Sequence, residues 1–463
     1  MLTDAATITN PRMVSELQRT LEGRAVHQLD IGYFTAAASR YVNPEIGWEP
    51  EVVVACATAD DVARSVSFAA EHGLGVAIRG GGVGWVGASP GTLLLDMRMI
   101  NSISVDPDRC TVHVGAGALW ADIHRALAPF GLAAAGPQFP RLSAAGYALG
   151  GGHGWLTRKL GWGSDTLRSV ELVTTGSDTV RSSQEDEPDL FWGLRGAGHN
   201  LGVAVSLEFS VIPLTQVHAG VVWFHPDRTA DLLNFHREWA PTLPDEVSTI
   251  LGVMTPPPDL PVPPQLIGRP MGHVVLCHSD PDSQARDLRA LRDQPGLLLD
   301  TIRAMPYAEL AAGNDMFPSG LRRRSRMRYL TGLTDPVVEL TAERFTDPPP
   351  LTMLSIHHYG GALGRVDEHA TAMSHRHQEW NYMVAMTWPP DETGAPQKRW
   401  QTELLAALES EEENAMYVNY LCQEPERVRS AYNLRTWNRL QALKRRWDPD
   451  NRLADNQNIA PAN

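Results

Sequence analysis

Cysteine is scarce in this chain: Cys56, Cys110, Cys277 and Cys422 are its four among 463 residues, and none stands in CxxC spacing. That scatter excludes a disulfide framework and a zinc ribbon, and makes a reducing, cytoplasmic setting the expectation. No HExxH pair occurs, so no metal centre is expected. No run approaches the roughly 18–20 apolar residues that cross a bilayer, and the opening MLTDAATITNPRMVSELQRT lacks the pattern of a secretory leader. Positive charge is also in deficit: 54 acidic against 40 basic side chains leave a formal charge of −14. Nonspecific binding to nucleic acid or to anionic lipid is therefore disfavoured. What remains is a chain 43% hydrophobic and 20% charged, ordinary for a folded protein of two or three domains that works on small molecules.

Apolar periodicity organises the first half. Val52 to Ala55 reads as a strand, and a helix opens at the Thr58/Asp61 capping-box signal and stops near Gly73. Gly75 to Arg79 is a second strand that runs straight into glycines. A hairpin about Asp106-Pro107-Asp108 follows, then an amphipathic helix from Leu119 to Phe130 closed by Gly131. RSVELVTTGSDTVRS reads as a hairpin about Gly176, DEPDLFWGLRGAG as a short capped helix and VAVSLEFSVI as a strand. Beyond Pro213 alternating strands return at Ser248 to Met254 and His273 to His278, joined by the proline-rich loop TPPPDLPVPPQLIGRP. Helices are expected at Ser283 to Arg292 and Val366 to Glu379. The acidic stretch Glu409 to Glu413 reads as a solvated helix face, and a last helix ends before Asp448-Pro449. The fold class is α+β.

Two glycine clusters carry the chemical signal. Arg79-Gly80-Gly81-Gly82 follows one strand, and Gly150-Gly151-Gly152-His153-Gly154 lies about seventy residues on, preceded by Gly146. Consecutive glycines let backbone N–H groups converge on an anion and let the chain approach a flat ring without Cβ atoms intervening. Two such loops suit a dinucleotide, although either alone reads equally well as a tight turn.

The runs AIRGGG, AAGYALGGGHGWLTRKLGWGSDTLRSVELVTTG, DLFWGLRGAGHNLGVAVSLEFSVIPL and YVNY with WDPDNRLADNQNIAP resemble the berberine bridge enzyme-like FAD-linked oxidases, within the p-cresol methylhydroxylase and vanillyl-alcohol oxidase superfamily. The resemblance implies a p-cresol methylhydroxylase-type FAD-binding domain over residues 1–213, completed by 417–463. A substrate-binding domain over 214–416 would roof the flavin with an antiparallel sheet covered by helices. By the same resemblance Arg79 to Trp85, with Val83 and Gly84 between them, hold the pyrophosphate. Gly146 and Gly150 to Gly154 then run along the flavin, and Gly202, Val203, Asn456 and Asn458 lie near adenine or flavin.

The sequence departs from that family at one informative pair. Many members tether FAD through a histidine after the glycine triplet and a cysteine before the second loop; here Val83 and Phe139 stand there, with Pro140 following. Neither side chain can form such a bond. The expectation is an oxidoreductase holding FAD noncovalently, with a small secondary-metabolite-type substrate and oxygen as reoxidant. A non-redox cyclase or lyase on the same scaffold is the alternative. Tyr417 is the candidate base by resemblance. His357 and Tyr359, two apart on an apparent strand, project to one side as candidate substrate contacts or an auxiliary base.

Overall fold

The strand–helix–strand unit at residues 52–79 shows how local sequence sets this architecture, in a computed structural model that describes residues 11–30, 32, 46–84, 87–257, 260–313, 320–421 and 424–462. Thr58 caps the helix Ala59–Glu71 through Asp61 N–H, and the Asp61 side chain bonds back to the cap, a complete capping box. The helix buries Val62, Val66 and Ala69 against Val52, Val54, Leu93 and Leu95. Val52–Ala55, Thr92–Asp96 and Gly75–Arg79 pair in parallel, and Arg24–His27 adds an antiparallel edge. Residues 82–87 spell GxGxxG, but the element that follows is the strand Thr92–Asp96 rather than a helix, so this is not a Rossmann turn.

A second sheet of five antiparallel strands takes the order Ile103–Asp106, Thr111–Gly115, Val203–Ser210, Leu167–Val173, Thr179–Ser183. The hairpins about 106–108 and about Gly176 are both present. The helix Trp120–Leu127 ends in a 3-10 turn closed by Gly131 at φ 65°. Pro188–Ala197 is helical up to a break at Arg195 and Gly196, but no side chain caps it; Pro188 at its first turn opens it instead.

The remaining large sheet has eight antiparallel strands. Its principal order is Leu297–Asp300, Gln216–Phe224, Met271–His278, Val247–Met254, Thr352–His358, Trp380–Trp388, Arg322–Leu330. Val247–Met254 and Met271–His278 pair in full register, so the proline-rich segment joins two partners. Helices Thr229–Trp239, Asp335–Arg344 and Ala395–Ala407 pack on one face, around Leu354, Ile356, Tyr382, Val384 and Trp388. The other face turns toward the glycine loops.

Three expectations are corrected. Residues 366–379 are not helical. Their polar groups are taken by distant elements: Ala372 N–H donates to Trp192 O, and the Arg376 guanidinium pairs with Asp165 at 2.7 Å. The 409–413 stretch is not a solvated helix face, because Glu412 pairs with Arg328 and Arg427. Residues 283–292 form two short helices, Gln284–Asp287 and Arg289–Arg292, rather than one.

The chain end returns to the beginning. Val76 N–H donates to Arg452 O, Ser89 donates to Asp455, and the buried Lys444–Asp448 pair at 2.7 Å fixes the turn between them. Leu453 joins the core beneath the four-stranded sheet. Among the described residues no helix is long and apolar enough to cross a membrane.

Candidate active site

The two glycine loops, the large sheet and the returning chain end enclose a single long cleft of about 1830 Å³, its open mouth included. Its lining is mostly apolar, as ligand clefts are. Arg79 enters from the end of Gly75–Arg79, wholly buried, and donates to Asp96 at 2.9 Å while lying over Trp48. Burial lowers the Arg79 guanidinium and Asp96 opposes that; burial would raise the Asp96 carboxyl, but Arg98 and Arg79 hold it below its ordinary range. Asp96 thus balances much of the Arg79 charge locally. The loop beyond it must be glycine for contact reasons: a Cβ at Gly80 would stand 2.1 Å from Ser143 Oγ, and one at Gly81 2.4 Å from Arg141 O.

The predicted residues separate into those on the cleft and those behind it. Arg79, Gly80, Gly81, Gly82, Val83, Gly84, Phe139, Gly146, His153, Gly202, Asn456 and Tyr417 line it. Trp85 lies outside the described residues. Pro140, Val203, Asn458, His357, Tyr359, Gly150, Gly151, Gly152 and Gly154 are not among the lining residues. Pro140 gives its carbonyl to Ala121 N–H, and Val203 packs into the core beneath the four-stranded sheet. Most of the second glycine loop fits protein rather than open space: Gly150 abuts Asn419, Gly151 Met373, Gly152 Tyr147 and Gly154 the Gly136 carbonyl.

Tyr417 Oη accepts from Gly152 N–H at 2.8 Å and from Asn419 Nδ2 at 3.2 Å, and its ring stacks on Trp162 with centroids 4.7 Å apart. Burial pushes the phenol above its ordinary value despite the hydrogen bonds from Asn419 and Gly152, so it is protonated at neutral pH. Burial, and then neighbouring His357, hold His153 well below the usual imidazole range; burial brings His357 to about 4. His153 packs against His357 and Tyr359 with ring centroids 4.9 and 4.8 Å apart. Two of the three candidate catalytic residues therefore reach the cleft through a third side chain.

Sequence reading missed His199, Arg323, Met383, Asn419 and Gln457, all on the lining. Asn419 was visible in YVNY, and Arg323 as the arginine of RRRSRMR out of phase with the alternating Arg322, Arg324, Arg326 and Arg328; His199 and Met383 carried no signal. Buried polar atoms without a protein partner converge on the cleft: His153 Nδ1, His199 Nε2 and Asn456 Oδ1. Unpaired buried groups are costly, and a polar cofactor in the cleft would satisfy them. Two motif-like fragments are otherwise employed. Ser89, in the GxSxG-like run 87–91, donates to Asp455, and His375 Nε2 meets Ser430 O. Among the described residues no cluster of histidine, cysteine and carboxylate side chains is placed to hold a metal.

Comparison with known proteins gives this geometry a class. Residues 50–183 match the family model "FAD binding domain" and residues 416–460 match "Berberine and berberine like". (R)-6-hydroxynicotine oxidase of Paenarthrobacter nicotinovorans is 27% identical over 96% of this chain and 97% of its own. An FAD-linked oxidoreductase of Bacillus subtilis is 25% identical over 95% and 97%. The solved 6-hydroxy-D-nicotine oxidase of Arthrobacter nicotinovorans superposes with a TM-score of 0.83 at 27% identity, covering 96% of this chain and 98% of that one. A solved chitooligosaccharide oxidase shares the fold at a TM-score of 0.84 and 19% identity, covering 97% and 100%. The fold is that of the p-cresol methylhydroxylase-type FAD oxidases, and the chain is an oxidoreductase. More narrowly, the two family models support a place among the berberine-like FAD-linked oxidases.

Proposed function

We propose that this oxidoreductase grips FAD without a covalent bond and oxidises a small, secondary-metabolite-type substrate lying between the cofactor and the eight-stranded sheet. The observation that carries the noncovalent reading is that Val83 and Phe139, at the positions where the resembling family places its tethers, both border the cleft and present only hydrocarbon. Residues 1–213 with 417–463 form the cofactor half in this reading, and 214–416 the substrate half. When bound, FAD supplies a two-electron acceptor.

The chain's own residues do the rest. The Gly80 to Gly84 backbone and Arg79 cradle the phosphates, while His199 Nε2 and Asn456 Oδ1 meet polar atoms of the nucleotide. Phe139 and the enclosing sheet exclude water. The neutral His153 imidazole is the group placed to take the proton leaving a substrate O–H or N–H, and the protonated Tyr417 hydroxyl, its oxygen held by Gly152 and Asn419, donates a hydrogen bond that orients the substrate. His357 and Tyr359 back His153 from behind. Oxygen is the proposed reoxidant and the cytoplasm the proposed compartment.

Acid precipitation of the purified protein tests the tether: yellow colour is expected in the supernatant, and a yellow pellet would overturn the noncovalent reading. Anaerobic substrate should bleach the flavin; turnover surviving flavin removal would instead favour the cyclase or lyase reading.

A further inference from the structure

The strand Arg322–Leu330 carries arginines on both faces, and one of them reaches across to the first glycine loop. Arg322 and Arg324 donate to the carbonyls of Pro390 and Lys398, neither of which lines the cleft. Arg323, between them and so on the opposite face, borders the cleft with Ser325 and is 7% exposed. Its Nη2 donates at 3.1 Å to the backbone carbonyl of Val83, 240 residues earlier in the chain. The bond starts on the eight-stranded sheet and ends in the loop that follows Gly75–Arg79.

The atom it holds gives this bond its meaning. In a trans peptide the carbonyl of one residue and the N–H of the next point in opposite directions. With the Val83 carbonyl turned to Arg323, the Gly84 N–H is directed away from the guanidinium, and both residues border the cleft. A loop of this kind holds an anion while its N–H groups face it; a peptide that turns over presents a carbonyl oxygen, which repels the anion. Within the loop little opposes that turning. Among the described residues no backbone acceptor takes an N–H of Gly80 to Gly84, and a Cβ at Gly84 would meet nothing within 4 Å. The start of the loop is different, since Gly80 and Gly81 are walled in by Ser143 and Arg141. The loop is thus fixed by packing where it begins and by Arg323 near its far end.

We propose that Arg323 is a positioning residue for the cofactor: through the Val83 carbonyl it holds the outer end of the glycine loop in the orientation that receives the pyrophosphate. A main-chain acceptor needs no reactive side chain at position 83, so the clasp works where valine offers no tether. The sheet that meets the substrate thereby also takes part in holding FAD. The proposal deepens the preceding functional reading and rests on its placement of FAD in this cleft.

Two measurements on the flavin-stripped full chain test it: titration with FAD followed by flavin fluorescence, and amide hydrogen exchange before FAD is added. Arg323→Gln should weaken FAD binding by about tenfold or more, as expected for one lost hydrogen bond from a charged donor. Exchange over Gly80 to Gly84 should rise by at least about threefold, while the strands Val52–Ala55 and Thr92–Asp96 keep the parent rate and so report an intact fold. Arg323→Lys, which keeps the charge and a donor, should recover at least about threefold of the lost affinity. Arg324→Gln removes the same charge from the other face and should leave FAD binding unchanged. Unchanged affinity in Arg323→Gln, an equal loss in Arg324→Gln, no recovery in Arg323→Lys, or loop exchange at the parent rate would overturn the proposal. A parent protein that takes up no FAD, with loop exchange still responding to Arg323→Gln, would reject the cofactor reading while sustaining the clasp.

Discussion

Gly146 and Gly152 are six residues apart in the second glycine run, and replacing each with alanine should have opposite consequences. Gly152 sits at φ +90°, and a Cβ there would lie 2.6, 2.7 and 3.0 Å from three carbons of the Tyr147 ring. The left-handed conformation alone disfavours alanine by about 1–2 kcal/mol. Tyr147 is 3% exposed and its hydroxyl donates to Ala135 O, so the ring cannot swing away, and the overlap adds about 1–3 kcal/mol. Gly152→Ala should therefore lose about 2–5 kcal/mol, while also displacing the N–H that holds Tyr417. Gly146 lies inside the helix Ala144–Ala148, where a Cβ would meet only Ser143 Oγ at 3.1 Å, a rotatable hydroxyl. Helix propensity favours alanine by up to ~1 kcal/mol, so Gly146→Ala should hold or slightly raise stability. Urea unfolding followed by tryptophan fluorescence and by far-UV circular dichroism measures both. Equal midpoints for the two variants would refute the claim that packing against Tyr147, rather than the ligand, makes Gly152 a glycine.

Three other outcomes follow from the geometry. Tyr417→Phe should cut turnover by about tenfold or more if this hydroxyl orients the substrate for proton transfer to His153, whereas a loss below about twofold, measured in steady state, would leave the phenol without that role. Arg376→Met strands the buried Asp165 carboxylate and should destabilise by about 3–5 kcal/mol, much of it recovered in Arg376→Met/Asp165→Asn; a double-mutant cycle showing simple additivity would contradict the coupling. Burial lowers His236 to about 3 and His273, His199 and His357 to about 4, so each is neutral when folded and regains a pKa of ~6.5 on unfolding. Their contribution is complete above pH ~6.5 and is lost as pH falls toward ~3–4, up to about 3–5 kcal/mol per histidine. The urea midpoint should drop between pH 7.5 and 5, less steeply in His236→Gln, and an unchanged midpoint would argue against neutral burial.

Local signals were read well where they were local. The Thr58 capping box, the Asp106-Pro107-Asp108 hairpin and the Val247–Met254 partnership are each written within a few residues, and each is seen in the fold. The expected helix at 366–379 failed because its polar periodicity competed with distant partners, Trp192 and Asp165, that no local window contains. The same limit governs the cleft. Arg79 and its glycines announced themselves, but Met383 reads as one more apolar residue in an apolar strand, and only the sheet that turns it toward the glycine loops puts it on the cleft wall. The glycines of the second loop were legible as a motif; that they fit Asn419, Met373 and Tyr147 was not.

The strap from Lys444 to Gln457 has a temporal consequence. Asp455, Asn456 and Gln457 supply one wall of the cleft, and they are made more than 350 residues after Ser89, which donates to Asp455. During synthesis the nascent N-terminal half emerges with that side open, and residues 444–457 must fold back onto it before the wall is complete. Whatever the cleft retains can therefore be enclosed only once residues 455–457 have been made and have folded back, and a change that pulls this strap away from Ser89 would open the cleft while leaving most of the secondary structure untouched.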